Sequence, residues 1–405
     1  LVQRLLQGEL MNYASIVPLI GGETIAMENV FGKRPEYILS YTDFIANDSQ
    51  LLNHYNNSIP YLLLDKGDTA PGRVDVVNTV CPCAGLSSLS PTSSGDSNTN
   101  DWMVKSAEYV LESIQPTVFW GENAPRLASR MGEPVVAKLR EIGRRNGYVF
   151  SIYKTKSILH GLSQVRDRSF YFFWKGNSVP ILSYYNRPYV KIEDQIRSSA
   201  TNEPDPMFEQ VNSKQKPSDN PYYQYVLEEM HGGITHPEFF QQIEKTTNPL
   251  HYIEDKGVSY KDVGVWMAER GHQKLSEKCN YMFDKLSAGG NIMRKMTEIG
   301  KDRIGAFVGH FPHTLCHPDE DRYINTREAL DIMKMPKDFM LQGGLKNLNM
   351  ICQNVPVTTA MDMAENVKGF LGGDLQMVEA EYILQDNKTQ SYNIEKAPNT
   401  LEAFI

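Results

Sequence analysis

Three short stretches of this chain bring together residue types that can act on an electron-poor ring. Pro82-Cys83 sets a thiol directly after a proline. About forty residues later Glu122-Asn123 closes the run Val118-Phe119-Trp120-Gly121, and Gln164-Val165-Arg166-Asp167-Arg168 sets two guanidinium groups two residues apart. A thiolate adds to such a ring, a carboxyl holds its nitrogen edge, and a guanidinium binds an exocyclic oxygen. Cytosine is such a ring. A free thiol titrates near about 8.5, so a reactive Cys83 needs a cation, a helix N-terminus or a base beside it. Burial of Glu122 at the end of an apolar strand favours its protonated form and lets it share a proton with a ring nitrogen. Arg166 and Arg168 alternate on one strand face, two forks for a carbonyl oxygen, phosphate or carboxylate. Each stretch also has a plainer reading. Cys81 and Cys83 can simply end a buried strand, Glu122 can be an acid favoured at a helix N-terminus, and the arginines can line a solvated strand.

A second set of residues has the layout of a nucleotide-type cofactor site. Gly21-Gly22 follows the first strand, where backbone amides at a helix N-terminus can approach a ligand closely. Asp43-Phe44 follows the second strand and offers a carboxylate for ribose hydroxyls and a ring for a base. Asp65 ends the third strand and can reach an adenine edge. Surface turns explain each of these equally well when taken singly.

These residues are placed by a recurring pattern of elements. Ala14 to Leu19, Tyr37 to Ser40, Tyr61 to Leu64, Val74 to Val80, Thr117 to Trp120, Tyr148 to Ile152 and Phe170 to Trp174 read as strands alternating with amphipathic helices. That alternation predicts an α/β fold with a doubly wound, mostly parallel sheet, whose ligands bind at the carboxyl ends of the strands. Residues 1–186 form the expected cofactor-binding catalytic domain. From 187 to 303 the texture changes to Pro-Asp-Pro, Lys-Gln-Lys-Pro-Ser-Asp-Asn-Pro and Ala-Gly-Gly-Asn segments, which predicts a smaller inserted lobe. Residues 304–405 return to the first domain through helices at Thr326 to Met335, ended by Pro336, and Val357 to Leu371, ended by Gly372-Gly373. The serine- and threonine-rich stretch Ser87 to Asn100 starts four residues after Cys83 and is expected to be a loop that closes over substrate.

The 405 residues, 41% hydrophobic, are enough for one large domain and a smaller one. A formal charge of -8 excludes a uniformly basic nucleic-acid coat, although not a local basic cleft. Five irregularly spaced cysteines form neither a disulfide framework nor a zinc pair, and a cytoplasmic location is expected. No apolar run has the ~20 residues needed to span a bilayer. His310, His313 and His317 lie in a Phe- and Pro-interrupted loop, so no metal site is expected.

In this order the motifs resemble the C5-cytosine-specific DNA methyltransferases, from about Ala14 to Leu371 with a gap in the middle. Gly21-Gly22 stands where the family's glycine-rich loop falls, Pro82-Cys83 at its Pro-Cys, Glu122-Asn123 at its Glu-Asn, and Gln164-x-Arg166-x-Arg168 at its Q-x-R-x-R. Arg322-Tyr323-Ile324-Asn325-Thr326-Arg327-Glu328 is similar to the late R-x-x-T-x-R-E block, and Gln353-Asn354-Val355-Pro356 to the closing motif. The resemblance implies a class I methyltransferase that uses S-adenosylmethionine and acts on a cytosine flipped out of double-stranded DNA, a restriction-modification type of activity. Cys83 would add to C6, Glu122 would contact N3, Arg168 would hold O2, Arg166 would support Glu122 or a phosphate, and Asn123 would order the loop of Cys83. Pro18, Leu19, Ile20, Gly21, Gly22, Asp43, Phe44, Asp65, Pro82, Asn354 and Val355 would bind cofactor. Ser87, Gln164, Arg270 and Lys274 would meet DNA, the last two from a target-recognition lobe at 187–303. No obligate partner is implied, and a monomer is expected.

The chain departs from the family at Val17-Pro18-Leu19-Ile20-Gly21-Gly22, which lacks the first glycine of an aromatic-x-Gly-x-Gly-Gly loop, and at Ala84, where glutamine is usual. Asp43-Phe44 aligns with a one-residue slip, and Cys352-Gln353 replaces Gly-Asn. Such drift is typical of phage-like enzymes. An RNA cytosine-C5 methyltransferase, an enzyme moving another one-carbon unit, and a non-catalytic DNA-binding protein are the alternatives.

Overall fold

The computed structural model describes residues 11–82, 86, 101–199, 205–209, 215–294, 297–307, 314–343 and 347–395. Cys83, Ser87 and the expected closing loop to Asn100 lie outside them, as do His310 and His313. The chain divides into two compact units. One comprises Leu1–Tyr189, Met333–Gln342 and Gln353–Ile405, the other Val190–Ile332 and Gly343–Cys352. The second unit thus begins three residues after the expected boundary at 187 and runs on past 303 to Ile332.

The first unit is built on nine strands: β1 (Tyr13–Ile16), β2 (Ile38–Ser40), β3 (Tyr61–Leu63), β4 (Val76–Thr79), β5 (Val118–Asn123), β6 (Tyr148–Lys156), β7 (Asp167–Lys175), β8 (Tyr382–Asp386) and β9 (Ser391–Glu395). They lie in the order β9-β8-β6-β7-β5-β4-β1-β2-β3. The pairs β1–β2, β2–β3, β1–β4, β4–β5 and β6–β8 are parallel, while β7 runs antiparallel between β5 and β6 and β9 antiparallel to β8. This is the doubly wound, mostly parallel sheet that the alternation predicts. Helices α1 (Gly22–Phe31), α2 (Ile45–His54), α3 (Asp101–Tyr109) and α4 (Glu133–Arg145) connect its strands, and α5 (Val357–Gly372) packs along α1.

The central strands are buried along their whole length, as helices on both faces of a parallel sheet require. The first ends at Ile16 rather than Leu19, because the backbone turns left-handed at Val17. Strand β7 is held by aromatic pairs on both faces. Phe119 stacks on Phe173 at 5.6 Å on one face, and Trp120 on Phe172 at 5.8 Å on the other. Such ladders fix register, since a slip of one residue would turn every ring to the wrong side. Strands β8 and β9 escape the sequence reading because β8 alternates buried with half-buried residues and β9 is exposed throughout.

The second unit is helical. Helices Pro249–Asp255, Tyr260–Glu269 and Gln273–Ser287 gather around Tyr223, Val226, Phe239, Ile253, Val263 and Met267. The late block sits here as a folded cap. Arg322 gives both amino groups to Glu328 at 2.9 and 2.8 Å, and Asn325 and Glu328 exchange side-chain and backbone hydrogen bonds at 2.8 and 2.9 Å. Among the described residues, no helix is long and apolar enough to cross a membrane.

Candidate active site

Strand order reverses at β1 and β4, so the crevice beyond their carboxyl ends is the natural ligand position in the sheet. On the β1 side the turn is made by backbone conformation. φ is positive at Val17 (+50°), Leu19 (+53°) and Gly21 (+94°) and not at the residues between. A β-branched residue rarely tolerates this region, and it persists only where neighbours over-determine it. Val17 is so held: its N–H donates to Leu39 O at 2.9 Å, and its carbonyl accepts from Val80 N at 3.2 Å. Leu19, where the resemblance leads one to expect glycine, keeps a backbone that favours glycine.

Gly21 and Gly22 serve the chain's own packing. A Cβ on Gly21 would lie 2.4 Å from Leu51 Cδ1, and one on Gly22 2.1 Å from Val355 O. Gly22 N–H donates to Asn354 Oδ1 at 2.9 Å, and the Asn354 carbonyl accepts from Arg166 at 3.1 Å. Asn354 and Val355 therefore reach the glycine turn itself. Beneath α2's first turns, buried Asp48 accepts from the Tyr61 hydroxyl at 2.8 Å. Burial pushes its carboxyl up to about 7 against the hydrogen bonds from Ser40, Tyr61 and the Leu19 backbone.

At the next two strands, Asp65 accepts from the Thr42 backbone at 3.1 Å and from the Thr42 hydroxyl, which fixes the turn and leaves Asp43 exposed. Phe44 is buried edge-on to Trp102 at 5.1 Å, and Tyr41 lies 4.7 Å from the same indole. Asp43 thus stands exposed beside a ring cluster, an arrangement that suits a nucleoside.

The β4–β5–β7 corner is organised by side chains. Cys81 is buried with its sulfur 3.3 Å from Thr79 Oγ1 and 3.7 Å from Ser106 Oγ; burial pushes the thiol up to about 11. It is an inert thiol, and Pro82, half-buried, leads from it toward Cys83. Register then decides the charges. Glu122 pairs with Phe170 across β5 and β7. Arg168, two residues from Phe170, falls diagonally on the same face. Its Nε forms an ion pair with Glu122 Oε1, and both side chains are nearly enclosed. Arg168, and not Arg166, is the guanidinium at Glu122. Asn123, fully buried, turns its amide onto Met103 Sδ at 3.2 Å and its carbonyl oxygen onto Ala124 N at 2.8 Å.

Of the residues expected at nucleic acid, Gln164 is buried with its amide 3.4 Å from Met333 Sδ. Arg270 lies 3.8 Å over the Trp266 ring and 3.5 Å from Glu228, turned back on its own unit. Lys274 is exposed at the start of helix Gln273–Ser287. Among the described residues, no group of three or more His, Cys, Asp or Glu side chains could hold a metal ion.

Sequence reasoning passed over Glu23, Asp48 and Tyr171, all buried at this end of the sheet. Glu23 carried a signal, since an acid directly after a glycine pair, in the first turn of a helix against the sheet, must be buried or turned away.

The chain matches the model of the C-5 cytosine-specific DNA methylases over residues 44–393, a stretch that begins beyond the turn at the end of β1. A comparison with curated protein sequences gives no match. Among solved structures, the chain is similar to the methyltransferase EhMeth of Entamoeba histolytica, at 11% identity and a TM-score of 0.55, over 89% of this chain and 98% of that one. It is also similar to a protein assigned as a DNA modification methyltransferase encoded within prophage Cp of E. coli, at 13% identity and a TM-score of 0.55, over 89% and 99%. At such identities the structures speak for a shared fold, and the extent of the family match speaks for descent. By that match, the chain belongs to the C-5 cytosine-specific DNA methylase family.

Proposed function

We propose that the chain is a DNA cytosine-C5 methyltransferase whose chemistry centres on Cys83, Glu122 and Arg168. The observation that carries this reading is the enclosed Glu122–Arg168 ion pair, one strand away from the strand that leads into Pro82-Cys83. A carboxyl and a guanidinium so paired match the N3 and O2 edge of a cytosine, and the thiol of Cys83, which follows the neighbouring strand in sequence, would add to C6. A base inside a duplex must first be flipped out, at a cost of a few kcal/mol of stacking and pairing.

In the proposed sequence the Cys83 thiolate adds to C6 while Glu122 holds a proton at N3 and Arg168 neutralises O2. C5 becomes nucleophilic, takes up a methyl group, loses its proton, and the thiolate leaves. S-adenosylmethionine, when bound, supplies that methyl group as an electrophile. The turn Pro18 to Gly22 would hold its amino-acid end, and Asp43 and Phe44 its ribose and adenine. Asp65 would set the Asp43 turn, while Asn354 and Val355 would keep Gly22 in place. Asn123 would fix the start of the segment after β5, and Arg166 would brace Asn354. The second unit is read as the target-recognition domain, whose Lys274 would meet phosphates, and Ser87 of the first unit would contact the DNA backbone. The prophage protein's assignment to DNA modification favours DNA over RNA as substrate.

The test is incubation with S-adenosylmethionine and either duplex DNA or RNA of mixed sequence, followed by nucleoside mass spectrometry. Gain of one methyl on deoxycytidine, lost in Cys83→Ser, is expected. Methylation of cytidine alone moves the substrate to RNA, and methylation by Cys83→Ser at the original rate removes Cys83 from the mechanism.

A further inference from the structure

The first turn of α1 holds a carboxyl that the proposed chemistry leaves unused. Glu23 is fully buried, and among the described residues its Oε1 has no hydrogen-bond partner. Its Oε2 accepts from Asn78 Nδ2 at 3.3 Å. The orientation of that amide is fixed, because Asn78 Oδ1 already accepts from Ser15 Oγ at 2.7 Å. Ser15 Oγ lies 2.9 Å from Thr24 Oγ1, so the polar set around Glu23 is closed, and none of its members is a cation. Helix α1 gives the acid a favourable dipole but no counter-charge.

Glu23 does not stand alone at this end of the sheet. Asn78 and Thr79 on β4 pair with Trp120 and Gly121 on β5, so Glu122 lies one residue further along that neighbouring strand. Burial raises the Glu23 carboxyl well above the usual range, and Glu122 is the next largest cause; the Asn78 amide and Thr79 backbone pull the other way. Tyr171 belongs to the same cluster: burial first, then Cys81, Glu23 and Glu122, keep its hydroxyl protonated. A Cβ on Gly121 would lie 2.8 Å from the Tyr171 hydroxyl, so only glycine there leaves the ring its place. Two carboxyls in one enclosed site do not both ionise without a large cost. Arg168 neutralises Glu122, whereas no cation reaches Glu23 among the described residues.

The geometry points to Glu23 as the proton-holding partner of Glu122, a positioning residue that acts through Glu122 and never touches the base. This rests on the methyltransferase reading given above. In the resting site the single shared proton sits on Glu23, and Glu122 faces Arg168. When the exocyclic oxygen of a cytosine engages Arg168, Glu122 loses part of its neutralising charge and takes the proton from Glu23. Glu122 then delivers it to N3 as the thiolate adds to C6. The same proton returns to Glu23 when the thiolate leaves, so the carboxyl pair is restored, and the one proton released over the cycle is the C5 proton, given up to solvent. Arg168 thereby makes proton transfer conditional on substrate.

Two measurements test the pairing separately from the reaction. Infrared difference spectra of the full chain, wild type against Glu23→Gln, are expected to show a neutral-carboxyl band near neutral pH that the variant lacks. In Glu122→Gln that band should vanish at lower pH, because the repelling charge is gone; Cys81, Tyr171, Asn78 and Arg168 are the other groups facing it. Absence of the band, or a midpoint unmoved by Glu122→Gln, overturns the proposal. On cytosine-containing duplex DNA, Glu23→Gln should lower kcat by about 10- to 100-fold, change its alkaline limb and leave KM alone, with Glu23→Asp restoring part of the rate. A merely structural role would leave the shape of the pH profile unchanged, and that result also overturns it. Should the wild type methylate neither DNA nor RNA, the functional reading fails, while the infrared midpoints still decide whether the two carboxyls share a proton.

Discussion

The two corners of the crevice are built by opposite means. At the end of β1 the geometry is written in the backbone: positive φ at Val17, Leu19 and Gly21, and a glycine pressed against Val355. At the ends of β5 and β7 the backbone is regular, and register carries side chains to their places, setting Arg168 diagonally to Glu122. A backbone site tolerates changes of residue type as long as the conformation survives, which is how Leu19 can hold a φ that favours glycine. A register site tolerates changes of neighbours as long as its charged pair remains. The family match begins at Phe44 and so includes the second corner but not the first, in keeping with that difference.

The contrast can be broken from the register side first. Glu122→Gln keeps the shape but removes the exchangeable proton, and should slow methyl transfer by about 10²- to 10⁴-fold with folding intact, as read by nucleoside mass spectrometry over time. Retention of the wild-type rate would deny that corner its chemistry.

On the backbone side, Asp48 gives the next largest effect. Its folded carboxyl titrates at about 7, above the unfolded value near 3.9. A raised folded pKa means stability that is full below the unfolded pKa and is lost as pH rises through about 7. Asp48→Asn lacks this loss. Urea unfolding should therefore show the variant gaining roughly 2–4 kcal/mol on the wild type between pH 4 and pH 8. A constant difference across that range would mean that Asp48 is ionised beneath the turn.

Gly22→Ala forces a Cβ into the Val355 carbonyl and should cost about 2–3 kcal/mol in the same assay. Gly32→Ala provides the contrast. Its φ of +72° is strained for alanine, but nothing lies within 4 Å of the added carbon, so about 1 kcal/mol is expected. Equal costs would mean that close approach to Val355 is not what requires glycine at 22. Arg166→Lys lies between these two. Losing the bond to the Asn354 carbonyl should cost about 1.5 kcal/mol without altering the pH dependence of turnover, because Arg166 braces the backbone corner and Arg168 serves the other.

Much of this was legible in the chain itself. The alternation of apolar strands and helices implied the doubly wound sheet, since a parallel sheet must cover both faces and its strands then read as continuous apolar runs. Pro82-Cys83, Glu122-Asn123 and the spaced arginines stood out because their residue types are costly to keep without a use. Strands β8 and β9 were hidden by polar alternation, and the continuation of the second unit to Ile332 was hidden because the helix Thr326–Ile332 looks like any amphipathic helix.

By itself the sequence determined the sheet, the order of the motifs along it and the residue types available at its carboxyl edge, because these depend on local periodicity and on chemistry within a few residues. Only the tertiary structure decided which arginine meets Glu122, why Gly22 must be glycine, and that Glu23 is enclosed without a cation among the described residues. Each of these is a meeting of distant segments, set by strand register and by the packing of Asn354 and Val355 on a turn more than three hundred residues earlier. No spacing along a chain encodes such a meeting until the sheet has closed.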